Sequence, residues 1–201
     1  MANYEYIISS LPALAPDWKP GESSFDQTVE WIKSQLGPSD KKTVDRLLSG
    51  FKEENLDRDF YVSALNDGNR FIREYFGFDL NFRNAKARFL NKAFGMPENK
   101  DTIDAGTGEF EEAQKMDAVL AMRDLLKRER SLDSLVWDKI GELTLFSYFD
   151  LDSVLGYIAK LHIIDRWTSL DVETGREMFF NLIDEVRGTF KGVKDNIIYE
   201  D

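Results

Sequence analysis

Along most of this chain apolar residues recur at spacings of three and four, and almost nowhere do they alternate with period two. Phe25, Val29, Ile32 and Leu36 share one face, Ser24 and Gln27 have capping-box spacing, and Gly37-Pro38 stops the helix. A second helix is predicted from Ser39 to Gly50, burying Val44, Leu47, Leu48 and Phe51. A third covers 56–76, with Phe60, Ala64, Phe71, Ile72 and Tyr75 inward. After Gly77 a fourth runs from Leu80 to Phe94, ended by Gly95 and Pro97. Beyond a polar stretch the period resumes over 110–130. It continues over 132–149, where Leu132, Leu135, Val136, Ile140, Leu143 and Phe146 form the apolar stripe, and then over 151–165. A last helix is expected from Asp171, burying Phe179, Leu182, Ile183, Val186 and Phe190. The opening Tyr4–Leu14, broken by Pro12 and Pro16, fits a short strand or a short helix.

This pattern predicts an all-α, multi-helix bundle. Residues 97–109 carry two Gly and a Pro, show no apolar period and read as a linker loop. They would divide an N-terminal helical lobe, 1–96, from a C-terminal one, 110–201, unless the two pack as one domain. Phe78-Asp79-Leu80-Asn81 and Phe149-Asp150-Leu151-Asp152 echo one another. They fit either two independent joints with the same cap chemistry or a weak internal repeat.

Composition narrows the chemistry. Across 201 residues, 26 Lys and Arg against 37 Asp and Glu give a net charge of −11, which repels nucleic acid and anionic lipid. With no cysteine and a single histidine, thiolate nucleophiles, iron–sulfur clusters and zinc sites built from paired histidines are excluded within one chain. No Gly-Lys pair forms a P-loop, and there is no Gly-x-Ser-x-Gly elbow. The start lacks a basic and apolar leader, and no run of about 18 apolar residues spans a membrane. The expectation is a soluble, cytoplasmic, non-enzymatic protein without a cofactor, membrane-associated only through other proteins.

Several residues invite closer weighing. Asp150 and Asp152 could bind a hard cation, but a helix N-terminus accounts for both through capping. Gly106-x-Gly108 lacks the preceding strand and third glycine of a dinucleotide loop. His162 lies in an apolar-striped helix and reads as a packed or surface histidine, with a pH-responsive contact as the sharper alternative. Arg123, Lys127, Arg128 and Arg130 are expected to close a helix, where cations complement the dipole, or else to dock an acidic partner. Glu109, Glu111 and Glu112 would open that same helix. Aromatic residues reach 13% of the chain. Most must be core, whereas Trp18, Trp31 and Trp167 with Arg166 are also of the type that interfaces favour.

Leu135-Val136-Trp137-Asp138, Phe146-Ser147-Tyr148-Phe149, Tyr157-Ile158-Ala159-Lys160-Leu161 and Asp165-Arg166-Trp167 followed by Leu170-Asp171 carry a resemblance, as does the opening Tyr4–Pro12. They resemble a small uncharacterised bacterial family encoded among the subunits of V-type ATPases, in the place of the C-type (or d-type) subunit. The resemblance implies a helical connector like that subunit, joining the central stalk to the membrane proteolipid ring and acting in ion transport. Its partners would be the stalk and ring subunits. A helical adaptor or regulator unrelated to the ATPase is the second reading, and a divalent-metal enzyme using carboxylates alone is the third.

Overall fold

Side-chain caps set most of the helix boundaries in the computed structural model, which describes residues 3–16 and 24–169. Asn3 opens α1 (Tyr4–Ser10) by accepting from the Tyr6 N–H at 3.0 Å, which resolves the apolar opening as a short helix. Ser24 caps α2 (Phe25–Gln35), accepting from the Gln27 N–H at 3.3 Å. Pro38 occupies the first turn of α3 (Pro38–Ser49), where its missing N–H costs no hydrogen bond. Asp57 caps α4 (Arg58–Leu65) and Asn69 caps α5 (Arg70–Ala93). α6 (Ala113–Leu120) has no side-chain cap, and Asp124 opens α7 (Leu125–Leu143). Asp150 and Ser153 form a reciprocal capping box at α8 (Leu151–Thr168). The described residues are all-helical apart from turns and loops, and they contain no strand.

Four boundaries depart from the periodicity. The segment 56–76 is not one helix, because the chain turns at 66–69 and restarts on the Asn69 cap. Gly77 ends nothing: it sits inside α5, where an added Cβ would come within 3.3 Å of Leu65 Cδ2. Its small size lets α4 and α5 pack closely. The expected helix over 110–130 breaks at 121–124, because Asp124 caps a new helix. Finally, α7 ends at Leu143, so Phe146 leaves the apolar stripe and is 86% exposed.

The echoed tetrapeptides also part company. Asp150 is an N-cap, whereas Asp79 lies within α5, accepting from the Tyr61 hydroxyl at 2.6 Å and pairing with Arg83 at 2.9 Å. The helix expected from Asp171, and Trp18, lie outside the described residues.

The main core draws on both sides of the 97–109 loop: Ile32, Leu47, Phe71, Phe76 and Leu80 pack in one cluster with Ile140, Leu155, Ile158 and Ile164. α8 is its axis, touching α1, α2, α3, α5 and α7. A helix surrounded this way must be apolar on most faces, and Val154, Leu155, Ile158, Leu161, Ile163 and Ile164 are all buried. A second cluster joins Phe78 and Phe82 of α5 to Met116 and Leu120 of α6 and Leu132 of α7.

Candidate functional site

α7 and α8 run antiparallel. An added Cβ at Gly156 would lie 2.5 Å from Thr144 Cγ2, Lys160 sits 5.1 Å over the Trp137 ring, and Arg166 reaches Asp133. The last of these contacts is the centre of a polar node. Asp133 of α7 is 6% exposed and accepts from both Arg166 Nη2 and Trp167 Nε1 of α8. Arg130, one turn earlier on α7, lies 4.5 Å from the centre of the Trp167 ring. Burial pushes the Asp133 carboxyl above the usual carboxylate range, against the pull of the Arg166 guanidinium and the Trp167 N–H. A buried carboxylate held by a cation and an indole clamps two helices together.

The structure therefore gathers three of the candidate interaction residues, Arg130, Arg166 and Trp167, at one point. Arg123, Lys127 and Arg128 lie elsewhere, and for a reason the periodicity concealed. Because α6 and α7 are separate helices, Arg123 falls in the turn between them and Lys127, Arg128 and Arg130 stand in the first two turns of α7. That is the positive end of the helix dipole, so complementing the dipole does not explain them, contrary to the expectation that they close a helix. Lys127 has only a loose contact with Asp124, 3.9 Å away, and Arg123 and Arg128 form no ion pair among the described residues. Apolar side chains accompany the cations: Met122, Leu125 and Leu126 are exposed, the last two by 64% and 60%. Glu109 and Glu111 precede α6, and Glu112 pairs with Lys139 of α7 at 2.8 Å.

The opposite end of α7 carries a second uncovered surface. Leu145, Phe146, Tyr148 and Phe149 follow one another in the α7–α8 turn and all are exposed, Tyr148 by 69%. Four large apolar side chains in solvent within five residues form the kind of patch that marks an interaction site. The periodicity had hidden it by extending the helix through 149. Its sequence signal was the density of aromatic residues just before the Asp150 cap.

Asp150 and Asp152 are occupied as structural groups. Asp150 caps α8, while Asp152 accepts from Asn69 Nδ2 at 2.8 Å and from Arg70 at 3.3 Å. No cluster of three or more potential metal ligands occurs among the described residues. Nor is any helix there long and apolar enough to cross a membrane.

His162 stacks on Phe51 at 4.1 Å, with Phe25 at 5.6 Å, in a cleft of about 660 Å³ that Asp26, Glu30 and Asp45 also line. Burial, assisted by the nearby Arg166 charge, holds its pKa down at about 4. The imidazole is thus a neutral aromatic packing element at physiological pH.

A row of α5 residues escaped the sequence reading. Asn84 donates to the Ile103 carbonyl at 2.8 Å and accepts from the Ile103 N–H at 2.9 Å. Asn91 donates to the Glu98 and Lys100 carbonyls, and Asn81 accepts from the Thr107 hydroxyl at 2.7 Å. Their spacing of three and seven puts them on one helix face, which binds the 97–109 loop along its length.

A family model described as "Protein of unknown function (DUF2764)" matches residues 98–189, which run from this loop through α6, α7 and α8. No curated protein and no solved structure matches the chain.

Proposed function

We propose that the chain is a non-enzymatic mechanical connector, a subunit or accessory protein of a V-type rotary ATPase that links the central shaft to the membrane proteolipid ring. One observation carries the connector reading: the two uncovered apolar surfaces sit at opposite ends of a single braced helix. With 19 residues at 1.5 Å each, α7 separates them by about 28 Å. α5, α6 and α8 all pack against it. One end is basic and apolar, the other aromatic, so the two would select different partners. A stiff rod with two unlike docking ends suits the transmission of force and needs no reactive group. The placement in the ATPase rests on the sequence resemblance. An adaptor outside the ATPase would use the same two ends.

Capture of the tagged protein from gently solubilised native membranes, followed by mass spectrometry, tests both parts. Recovery of catalytic, stalk and proteolipid subunits together is the expected result. With Phe146→Ser/Phe149→Ser the recovery of one set of partners should fall at least tenfold. Recovery of other proteins alone, with the ATPase intact in the detergent, would replace the ATPase by the adaptor reading. Undiminished capture by the double variant would remove the aromatic turn from the account.

A further inference from the structure

The end of α5 and the start of α6 line a common cleft of about 910 Å³. Its walls are mostly apolar: Ala85, Phe89 and Ala93 come from α5, Met96 from the turn that follows, and Phe110 and Ala113 from the entry to α6. Phe94, the residue after α5, is 75% exposed and extends the apolar surface beyond the cleft. Both the volume and the make-up, apolar walls with a few polar groups, are those of small-molecule sites. The polar groups set the sign of the ligand. Arg88 and Lys92 lie four residues apart on α5, so they are neighbours on the helix surface and repel one another. Neither forms an ion pair among the described residues, and Arg88 Nε reaches only the Asn99 side-chain oxygen at 3.4 Å. Lys100 Nζ, 4.0 Å from Met96 Sδ, likewise has no carboxylate partner among them. Glu98 and Asp117 also line the cleft, but from the loop and from α6 rather than from α5.

We propose that this cleft binds a small single-chain amphiphile with an anionic head, a carboxylate of the fatty-acid type, its head held by Arg88 and Lys92 and its chain laid over Phe89, Met96 and Phe110. An anion between the two cations relieves their repulsion through charge-assisted hydrogen bonds, and an alkyl chain removes the apolar walls from water. A cationic head would add to the repulsion along α5, and an uncharged chain would leave it unrelieved. Both halves of the ligand therefore contribute. None of the lining residues belongs to either end of α7, so the site does not depend on the connector reading.

Calorimetric titration of the full chain with decanoate at neutral pH tests the site, with acetate and decan-1-ol as the head and the tail alone. Decanoate should bind one to one, and each control roughly tenfold more weakly or not at all. Arg88→Gln/Lys92→Gln should weaken decanoate binding roughly tenfold and leave decan-1-ol unaffected. Ala113→Trp fills the cleft from an exposed position and should abolish binding of both. Unchanged circular dichroism and melting temperature show that the variants fold. Decan-1-ol binding as tightly as decanoate, or decanoate binding undiminished in either variant, would overturn the proposal. So would an absence of decanoate binding; if the parent then sediments as a dimer that Ala113→Trp dissociates, the occupant is a second copy. A pull-down without ATPase subunits leaves the titration intact, so the two proposals fail separately.

Discussion

Replacing Gly50 by alanine should destabilise the protein although the backbone there accepts alanine without strain. Gly50 ends α3 at φ −76° and ψ −7°, within the right-handed region open to any residue. By backbone entropy alone the substitution would stabilise by about 0.4–1 kcal/mol. The side chain has nowhere to go, however. An added Cβ would lie 2.2 Å from Cε1 and Cζ of Phe76 and 2.9 Å from Cζ of Phe60. Phe76 is fully buried and meets Phe60 edge-on at 5.0 Å, so neither ring can swing aside without disturbing the core. Overpacking of this kind costs about 1–3 kcal/mol, which leaves a net loss of roughly 1–2 kcal/mol. For a chain of this size that lowers Tm by roughly 2–8 °C. Gly68→Ala is the control: nothing lies within 4 Å of its added Cβ and its φ is not positive, so it should be neutral or stabilising. Calorimetric or fluorescence melting of both variants decides the matter. If Gly50→Ala is as stable as Gly68→Ala, the packing argument is wrong. Rescue of Gly50→Ala by Phe76→Leu would locate the clash in that ring.

The other predictions concern polar groups in or near the core. His162 binds its proton less tightly folded than unfolded, so stability should be complete above the unfolded pKa of about 6.5 and fall as the pH drops towards 4, by at most about 3 kcal/mol. Asp26, Glu30, Asp45 and Lys52 line the same cleft, and Arg166 acts from α8, so the slope is to be read as the difference between the parent and His162→Phe, which should be flatter over pH 4–6.5 in urea titrations. Asn84→Ala removes two hydrogen bonds to Ile103 from a buried position and should cost about 1–3 kcal/mol, with faster amide exchange at Ile103; unchanged exchange there would refute the binding of the 97–109 loop by α5. Tyr157 buries a hydroxyl without a hydrogen-bond partner among the described residues, and its pKa is pushed up to about 12 by burial. Tyr157→Phe should therefore stabilise by about 1 kcal/mol in denaturant unfolding, and a loss of that size would show a partner for the hydroxyl.

Periodicity, caps and breakers were enough to establish helices in this chain. Ser24 and Asp150 cap where the local sequence places them, Pro38 opens α3, and the loop over 97–109 falls where polar residues, glycine and proline interrupt the apolar pattern. These are interactions within four residues, so both partners of each lie in one short window of sequence. The role of Gly77 depends on a distant neighbour, since Leu65 across the α4–α5 contact makes it a packing residue, whereas the Asp124 cap is local and divides the apolar period over 110–130 between two helices. That division moved Lys127, Arg128 and Arg130 from a helix end that welcomes cations to one that does not. The 145–149 turn shows the same limit from the other side, since an apolar residue at stripe spacing is core only if its helix continues. Local sequence thus determined that the chain is helical and where most helices start. Tertiary structure alone decided which apolar and charged residues are left uncovered, because exposure depends on contacts between residues far apart in the chain.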